Sequence, residues 1–167
     1  MTRSFHIKET RRKHVLRHML SSELAGSHFY SHFFGDPEEL IDYINAHAPL
    51  EVIQQREKRF AFCFAEMGGN PVGTSGLAKR KDLQQSQIEQ QVREGFTIEV
   101  GIVDSLPKTH LFSVIADETH DGLSIITAFP GAYARPFAQK GQSREEYELN
   151  KKFWEEHVLL KQKNTMQ

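Results

Sequence analysis

Three β-rich segments late in the chain constrain its fold more than any other feature. They span residues 97–103, 111–116 and 123–128, with turn residues between them. Parallel neighbours in a sheet need a long crossover connection, usually a helix, and these loops are too short to supply one. We therefore predict that the three segments are consecutive antiparallel strands of one sheet.

Two more segments before these favour strands. Residues 60–66 predict a strand that ends at the turn signal Gly68-Gly69-Asn70-Pro71. Residues 72–78 favour a second strand, weakened by two glycines. The Gln-rich residues 79–94 fit either a helix or an excursion between strands.

Helical patterns occur before the predicted sheet. Residues 10–20 have an apolar face and a basic face when they are wound at about 100° per residue. Asp36 and Pro37 match an N-cap and a first helical residue, so a second helix is predicted to begin there. Pro49 closes that helix.

A capping box predicts one more helix near the C-terminus. Ser143 and Glu146 form the box, because the N-cap hydroxyl and the Glu three residues later can satisfy each other's backbone donors. In this helix Tyr147, Trp154 and Val158 would share the face that packs on the rest of the protein.

The order of these elements predicts an α+β protein, in which N-terminal helices are packed on a meandering antiparallel β-sheet and a C-terminal helix follows. The helical part covers about residues 10–48, the sheet about 58–131 and the last helix about 143–163. With 167 residues and no long linker or repeat, the chain is expected to form a single domain over residues 1–167.

Composition excludes several classes of protein. The chain is 38% hydrophobic and 26% charged, as in ordinary soluble globular proteins. No stretch approaches the ~18 apolar residues of a transmembrane helix, and no secretory signal is visible, so we expect no membrane segment. Cys63 is the only cysteine, which excludes an internal disulfide, and its aromatic neighbours predict a buried, inert thiol.

Charge is segregated along the first 50 residues, although the formal net charge is only −1. Residues 1–20 contain six basic residues and one acidic residue, whereas residues 21–50 contain five acidic residues and no Lys or Arg. Such a field can attract an anion locally. Two neighbouring helices joined by salt bridges would explain the same pattern.

The basic helix face contains the first candidate catalytic residues, His18, His14 and Arg17. Cleavage of RNA by its own 2′-hydroxyl needs a base that works near neutral pH and cations that stabilise the phosphate charge. Histidine suits the first task and the planar guanidinium of arginine the second. A solvated basic face without catalytic function is the structural alternative.

Thr127 is the second candidate, because it is predicted to end a strand just before Pro130. Its hydroxyl could then bind a phosphate oxygen, and Phe129, on the same side of the strand, could stack on a base. Alternatively, Thr127 is an ordinary strand residue and Phe129 belongs to the core. Lys13 and His32 are further candidates for binding the substrate.

The histidine spacing raises the question of a metal site. His14 and His18, and also His28 and His32, are four residues apart, a spacing that can share one Zn²⁺ on a helix. Glu23 is the only obvious third ligand, so we predict no metal site. Residues 73–76 lack the lysine of a nucleotide-binding loop, and we expect no other cofactor either. The remaining histidines, including His47 and His157, are expected to lie at the surface.

Three pieces of the sequence carry a resemblance to a known family: KHVLRHM at residues 13–19, SHFFGDPEELIDYI at 31–44, and the ending VGIVD, HLFSVIAD and LSIITAFPG. Their order resembles the C-terminal toxin domains of contact-dependent growth inhibition systems. These belong to the barnase–EndoU–colicin–RelE-like superfamily, with its RNase A-like and EndoU-like branches. The resemblance implies His18 or His14 as the base, Arg17 as the cation and Thr127 as a phosphate ligand. Phe129 stands where that pattern often has a tyrosine, so a role for a phenol is lost.

The leading hypothesis is therefore a metal-independent endoribonuclease, a bacterial toxin domain that cleaves RNA through attack of the 2′-hydroxyl. It would act in the cytoplasm of a target or host cell and, if secreted, as part of a larger protein. RNA and a cognate immunity protein are the expected partners.

Two other hypotheses remain open. In the first, the chain is a non-enzymatic binding protein, such as an immunity or phage accessory protein, with an aromatic partner surface at Phe29, Tyr30, Phe33 and Phe34. In the second, the chain is a zinc hydrolase that uses the histidine pairs.

Overall fold

The structure is a computed structural model. It describes residues 4–11, 13, 28–29, 37–66, 68–93, 96–135 and 143–163. Helices and a larger share of strands confirm the α+β class. The chain forms two compact units: unit 1 comprises Met1–Ser75 and Lys108–Tyr133, and unit 2 comprises Gly76–Pro107 and Ala134–Gln167. The single domain over residues 1–167 stays a prediction.

Unit 1 is built around a five-stranded sheet in its described residues. In spatial order its strands are β1 (Phe5–His6), β11 (Gly122–Pro130), β10 (Leu111–Thr119), β4 (Arg59–Ala65) and β3 (Glu51–Arg56). All neighbours are antiparallel except β1, which pairs with β11 in parallel. The predicted strand at 60–66 and the predicted hairpin of 111–116 with 123–128 are confirmed. β3 was not predicted from the sequence.

The hairpin between β10 and β11 depends on a glycine. Gly122 has a φ of 131°, a conformation that other residues rarely adopt. A Cβ at this position would also lie 2.5 Å from the carbonyl oxygen of Ser4. That close approach lets Leu123 donate its backbone N–H to Ser4 at 2.9 Å, next to the parallel pairing with β1.

Helix α1 (Pro37–Ala46) begins where Pro37 predicts, which confirms that helix start. It buries Leu40 and Ile44 in the core of unit 1, together with aromatic side chains from β4 and β10. A small three-stranded sheet completes the described part of this unit. It consists of β2 (His28–Phe29), β5 (Gly73–Thr74) and β9 (Lys108–Thr109).

The helix predicted over residues 10–20 falls almost entirely outside the described residues. Glu9–Arg11 form a short 3₁₀ turn there. Of the N-terminal helices that were predicted to pack on the sheet, α1 is therefore the one that the structure describes.

Unit 2 has its own sheet, which is four-stranded in the described residues. The spatial order is β6 (Leu77–Lys79), β12 (His157–Gln162), β8 (Phe96–Val103) and β7 (Ile88–Arg93). β7 and β8 form an antiparallel hairpin, and β12 pairs in parallel with β8 and antiparallel with β6.

The prediction that residues 97–103 belong to the same sheet as the other two segments is wrong. This segment is β8, and its neighbours are β7 and β12 in unit 2. The short loops did exclude parallel pairing between consecutive segments, but they did not require that consecutive segments pair. Because β7 and β12 occupy both edges of β8, no edge is left for β10.

Two of the predicted segments between residues 72 and 94 also need correction. The single strand expected at 72–78 is interrupted, so that β5 and β6 are separate short strands in different units. The Gln-rich stretch contains two 3₁₀ turns, Arg80–Asp82 and Gln85–Gln87, before β7 begins.

The C-terminal helix is confirmed at its start and wrong at its end. Helix α2 (Arg144–Glu156) begins with the predicted cap, in which the Ser143 hydroxyl accepts a hydrogen bond from the backbone N–H of Glu146 at 3.1 Å. The helix stops at Glu156, and the predicted helical residue Val158 lies in β12. Val158, Leu159 and Leu160 are all buried, which a strand covered on both faces explains and a one-sided surface helix does not.

Aromatic rings form the centre of the unit 1 core. Phe64 is fully buried and stacks on Phe112, with ring centroids 5.4 Å apart, while Phe5 meets Phe62 edge-on at 5.0 Å. Such pairs stabilise a fold beyond the area they bury. The core therefore depends on residues that are contributed by β1, β4 and β10 together.

We expect Phe64→Ala to lower the free energy of unfolding by about 3–5 kcal/mol, because it removes a fully buried ring and leaves a cavity. Urea denaturation followed by circular dichroism measures the change. Leu50→Ala, at an exposed position of the same unit, is the control and should change stability by less than about 0.5 kcal/mol. Equal effects of the two substitutions would contradict this description of the core.

Candidate functional site

Most of the predicted N-terminal site residues lie outside the described part of the chain. This applies to His14, Arg17, His18 and His32, and also to the aromatic residues Tyr30, Phe33 and Phe34. Lys13 is described and exposed. The predicted roles of this segment remain predictions.

The expectation that Thr127 ends a strand at the surface is wrong. β11 continues to Pro130, which pairs with Phe112. Proline lacks a backbone N–H, but at the last position of a strand this donor is not needed and its fixed φ is compatible with extended backbone. Thr127 is 3% exposed and Phe129 is 5% exposed. Neither side chain lies at the surface of the protein, where RNA would meet it.

A β-bulge determines which way these two side chains face. Ile115 pairs with Thr127 but Ala116 pairs with Ile125, so Ile126 is an extra residue in β11. After the bulge, Ala128 lies in the main core, while Phe129 packs with Ala61 and Tyr133 in a second buried cluster. Phe129 is therefore a core residue, the alternative that the sequence left open.

The described residues of unit 2 form a cleft of about 490 Å³ with charged walls. Its volume lies within the range of small-ligand sites. Basic, acidic and imidazole groups line it together: Lys79, Arg80, Lys81, Glu155, Glu156 and His157. The combination provides groups that bind anions and groups that transfer protons.

His157 is held in one orientation at the junction of α2 and β12. Its Nδ1 lies 2.9 Å from the carbonyl oxygen of Phe153, and its ring stacks on that of Phe153 with centroids 4.0 Å apart and planes 7° from parallel. A carbonyl oxygen only accepts hydrogen bonds, so Nδ1 carries the hydrogen. In the neutral ring, Nε2 is then the nitrogen with the free lone pair.

Strand pairing brings a cation next to this imidazole. Lys79 is directly opposite His157 in the antiparallel register of β6 and β12, so the two side chains project from the same face of the sheet. The next residue, Arg80, is bound to Glu99 through two contacts, Nε to Oε1 at 2.6 Å and Nη2 to Oε2 at 3.1 Å. This bidentate pair orients the guanidinium group beside the cleft.

The same histidine arrangement occurs in unit 1. His47 follows α1, its ring stacks on Tyr43 at 4.0 Å, and its Nδ1 lies 2.8 Å from the Tyr43 carbonyl oxygen. In both cases an aromatic residue precedes the histidine by four positions, a spacing that places both side chains on one helix face. From the sequence, His47 and His157 were expected to be scattered surface residues, although their shared spacing from an aromatic residue is visible there.

Among the described residues, no group of three or more His, Cys, Asp or Glu side chains is arranged to hold a metal ion. His14, His18 and Glu23 lie outside these residues, and nothing is described of the His28 side chain. The absence of a metal site therefore stays a prediction.

Cys63 is buried, as the sequence predicted. Desolvation, with a smaller contribution from the charge of Glu51, raises the pKa of its thiol from 9.0 to about 11. The thiolate is the reactive form, so this environment makes the residue unreactive.

Comparison with known proteins gives one result on the fold. No family model matches the chain, and no curated protein matches it. The fold is similar to that of a conserved hypothetical protein from Toxoplasma gondii ME49, known from a crystal structure at 2.35 Å resolution. The TM-score is 0.50 and the identity 11%, over 75% of this chain and 84% of that protein. At this identity the similarity concerns the fold alone.

None of the helices in the described ranges is both long enough and apolar enough to span a membrane.

Alkylation tests the environment of Cys63. At pH 8 we expect iodoacetamide to react with the native thiol about 100-fold more slowly than with the urea-unfolded chain, because a pKa of about 11 instead of 9.0 lowers the thiolate fraction by that factor. Mass spectrometry of timed samples measures both rates. Equal rates in the two states would contradict the burial of this residue.

Proposed function

We propose that the protein is a metal-independent endoribonuclease that cleaves RNA by attack of the 2′-hydroxyl, and that the reaction takes place in the cleft of unit 2. The observation that carries this proposal is the fixed imidazole of His157 in register with Lys79, beside the carboxylates of Glu155 and Glu156. The resemblance of the sequence to ribonuclease toxin domains selects RNA as the substrate.

The reaction makes three chemical demands, and the cleft has side chains for each. A base removes the proton from the 2′-hydroxyl as its oxygen attacks phosphorus, and an acid protonates the departing 5′-oxygen. Cations stabilise the charge that grows on the phosphate. His157 and the carboxylate of Glu155 or Glu156 would act as the acid and base pair, while Lys79 and Lys81 would bind the phosphate.

The charges of the cleft favour chemistry over simple binding. A surface that only binds nucleic acid is usually a uniform basic patch. Here three cationic side chains line the cleft together with two exposed carboxylates, and the charge of Arg80 is also neutralised by its ion pair with Glu99. Carboxylates in an anion-binding cleft weaken the binding of the anion. Their presence is therefore better explained by a second role, and proton transfer is such a role.

The N-terminal segment offers a second position for the base within the same proposal. There, His18 or His14 would take the proton and Arg17 would stabilise the phosphate, with N-terminal helices packed on the sheet as the sequence predicts. A toxin domain of this kind would act in the cytoplasm of a target or host cell and would have a cognate immunity protein.

Cleavage of total cellular RNA in the presence of EDTA tests the proposal. We expect the unaltered chain to leave 2′,3′-cyclic phosphate ends and His157→Ala to lower the rate by about 10²–10⁴-fold, the usual loss for a positioned acid or base. His120→Ala removes an exposed histidine from the β10–β11 turn and serves as the matched control.

Each other outcome of this assay has a defined meaning. If His18→Ala abolishes cleavage and His157→Ala does not, the reaction belongs to the N-terminal segment and the assignment to the cleft is wrong. If the unaltered chain does not cleave RNA at all, the endoribonuclease proposal fails.

Salt dependence tests the binding role of the lysines separately. With an uncleavable 2′-deoxy-substituted RNA analogue, Lys81→Ala should weaken binding and reduce the slope of log affinity against log salt by about 1, because one phosphate contact is lost. Lys58→Ala, an exposed lysine of unit 1, should leave the slope unchanged. Fluorescence anisotropy at several salt concentrations measures both. A slope that both substitutions change equally would argue against a specific role for Lys81.

A non-enzymatic binding protein is the second candidate, and one observation in unit 1 favours it. Among the described residues β3 is an edge strand of the five-stranded sheet, and Leu50 and Val52 expose large apolar side chains at this edge. An exposed edge can accept a strand from a partner protein. Failure of the RNA cleavage assay would make this candidate the leading one.

A further inference from the structure

Part of the cleft in unit 2 is lined by uncharged side chains. Leu83, Gln85 and Ile88 form this uncharged wall, beside the charged groups of the cleft. Leu83 and Ile88 are half-buried, whereas Gln85 is exposed. Proton transfer and phosphate binding use only the charged groups, so the uncharged wall is left for another part of the substrate.

A glycine positions the two apolar side chains side by side. Gly101 of β8 is directly opposite Ile88 in the register of β7 and β8, so a side chain at position 101 would lie beside that of Ile88. Position 101 has none, and Cδ2 of Leu83 occupies the space where its Cβ would be. Leu83 therefore lies next to Ile88 over the backbone of β8, and the two form one apolar surface.

The segment that precedes this surface is attached to the same strand. Arg80 is bound to Glu99, which precedes Gly101 by two residues and so lies on the same face of β8. The backbone N–H of Leu83 donates to the carbonyl oxygen of Arg80 at 3.2 Å. The fold therefore sets the position of the apolar surface relative to the charged groups of the cleft.

Gln85 adds an amide to this wall. It begins the 3₁₀ turn Gln85–Gln87, in which the backbone N–H of Gln84 donates to Oε1 of Gln87 at 3.0 Å. Gln87 thus closes the turn with its own side chain, and the turn does not need the amide of Gln85. A side-chain amide has both hydrogen-bond donors and an acceptor.

An apolar surface with one amide matches the chemistry of a nucleobase. The face of a base packs on flat or apolar side chains, and its edge presents hydrogen-bond donors and acceptors. Glutamine pairs with adenine through two hydrogen bonds, in which the amide oxygen accepts from N6 and the amide nitrogen donates to N7. Guanine has acceptors at both N7 and O6, and pyrimidines lack N7 and the second ring.

We propose that the uncharged wall binds the base of the nucleotide whose 2′-hydroxyl attacks, and that Gln85 selects adenine at this position. The inference rests on the proposed ribonuclease function. The reacting nucleotide carries its base and its 3′-phosphate together, so a phosphate held by Lys79 and Lys81 brings the base into the same cleft. Leu83 and Ile88 then contact the adenine ring, and the amide of Gln85 pairs with N6 and N7.

Binding of the four nucleoside 3′-monophosphates to the unaltered full chain tests the preference without any cleavage. We expect the adenosine compound to bind at least about 10-fold more tightly than those of guanosine, cytidine and uridine, because each of them loses the paired hydrogen bonds. Isothermal titration calorimetry measures the affinities. Equal affinities, tighter binding of another base, or no binding of the adenosine compound at millimolar concentration would overturn the proposal.

Two substitutions separate reading of the base from packing against it. Gln85→Leu removes the amide at a similar side-chain size and should bring the four affinities within about twofold of each other. Leu83→Ala should weaken all four by about 3- to 10-fold and keep their ranking, because it removes apolar contact only. Gln90→Leu makes the same change as Gln85→Leu on an exposed position of β7 outside the cleft, and should change neither the affinities nor the ranking.

An unchanged adenine preference in Gln85→Leu, or an equal loss of preference in Gln90→Leu, contradicts the role of Gln85. Thermal unfolding shows whether each variant is folded, and the ranking on the unaltered chain needs no variant.

The same assays distinguish failure of this inference from failure of the proposed function. RNA cleavage that depends on His157 but shows no preference for adenosine on the 5′ side of the cleaved bond overturns the base selection alone. Adenine-selective binding that depends on Gln85, in a chain that does not cleave RNA, supports the base site and refutes the ribonuclease.

Discussion

The pairing of β10 on both of its edges is the constraint on which unit 1 depends. β4 binds one edge and β11 the other, and Phe112, Val114 and Ala116 of β10 are fully buried. The residues opposite them in β4 include Phe62 and Phe60, so the register of this strand also positions these two rings at the main core. A shift of one residue would turn these side chains to the other face of the sheet.

In unit 2 the corresponding constraint is the change from helix to strand at Glu156. The chain leaves α2 and enters β12 with no loop between them, so His157 belongs to the end of a helix and the start of a strand at once. The helix supplies the Phe153 ring and carbonyl that hold the imidazole, and the strand places it opposite Lys79. Neither element alone would produce this arrangement.

Units 1 and 2 share one local arrangement of side chains but place it in different surroundings. In each, a histidine four residues after an aromatic residue stacks on that ring and donates Nδ1–H to the backbone, which orients the imidazole. The side chains that line the cleft around His157 are mostly charged or polar, whereas those around His47 are mostly apolar.

The sequence by itself determined the local elements. It located the β10–β11 hairpin, the start of α1 at Pro37, the Ser143 cap and the buried Cys63, because turn, cap and burial signals act over a few residues. Only the tertiary structure decided that β8 joins β12 in a second sheet, that Thr127 is buried, and that His157 meets Lys79. These outcomes depend on pairing and packing between distant segments, and strand alternation shows which residues share a face but not which strand or surface that face will meet.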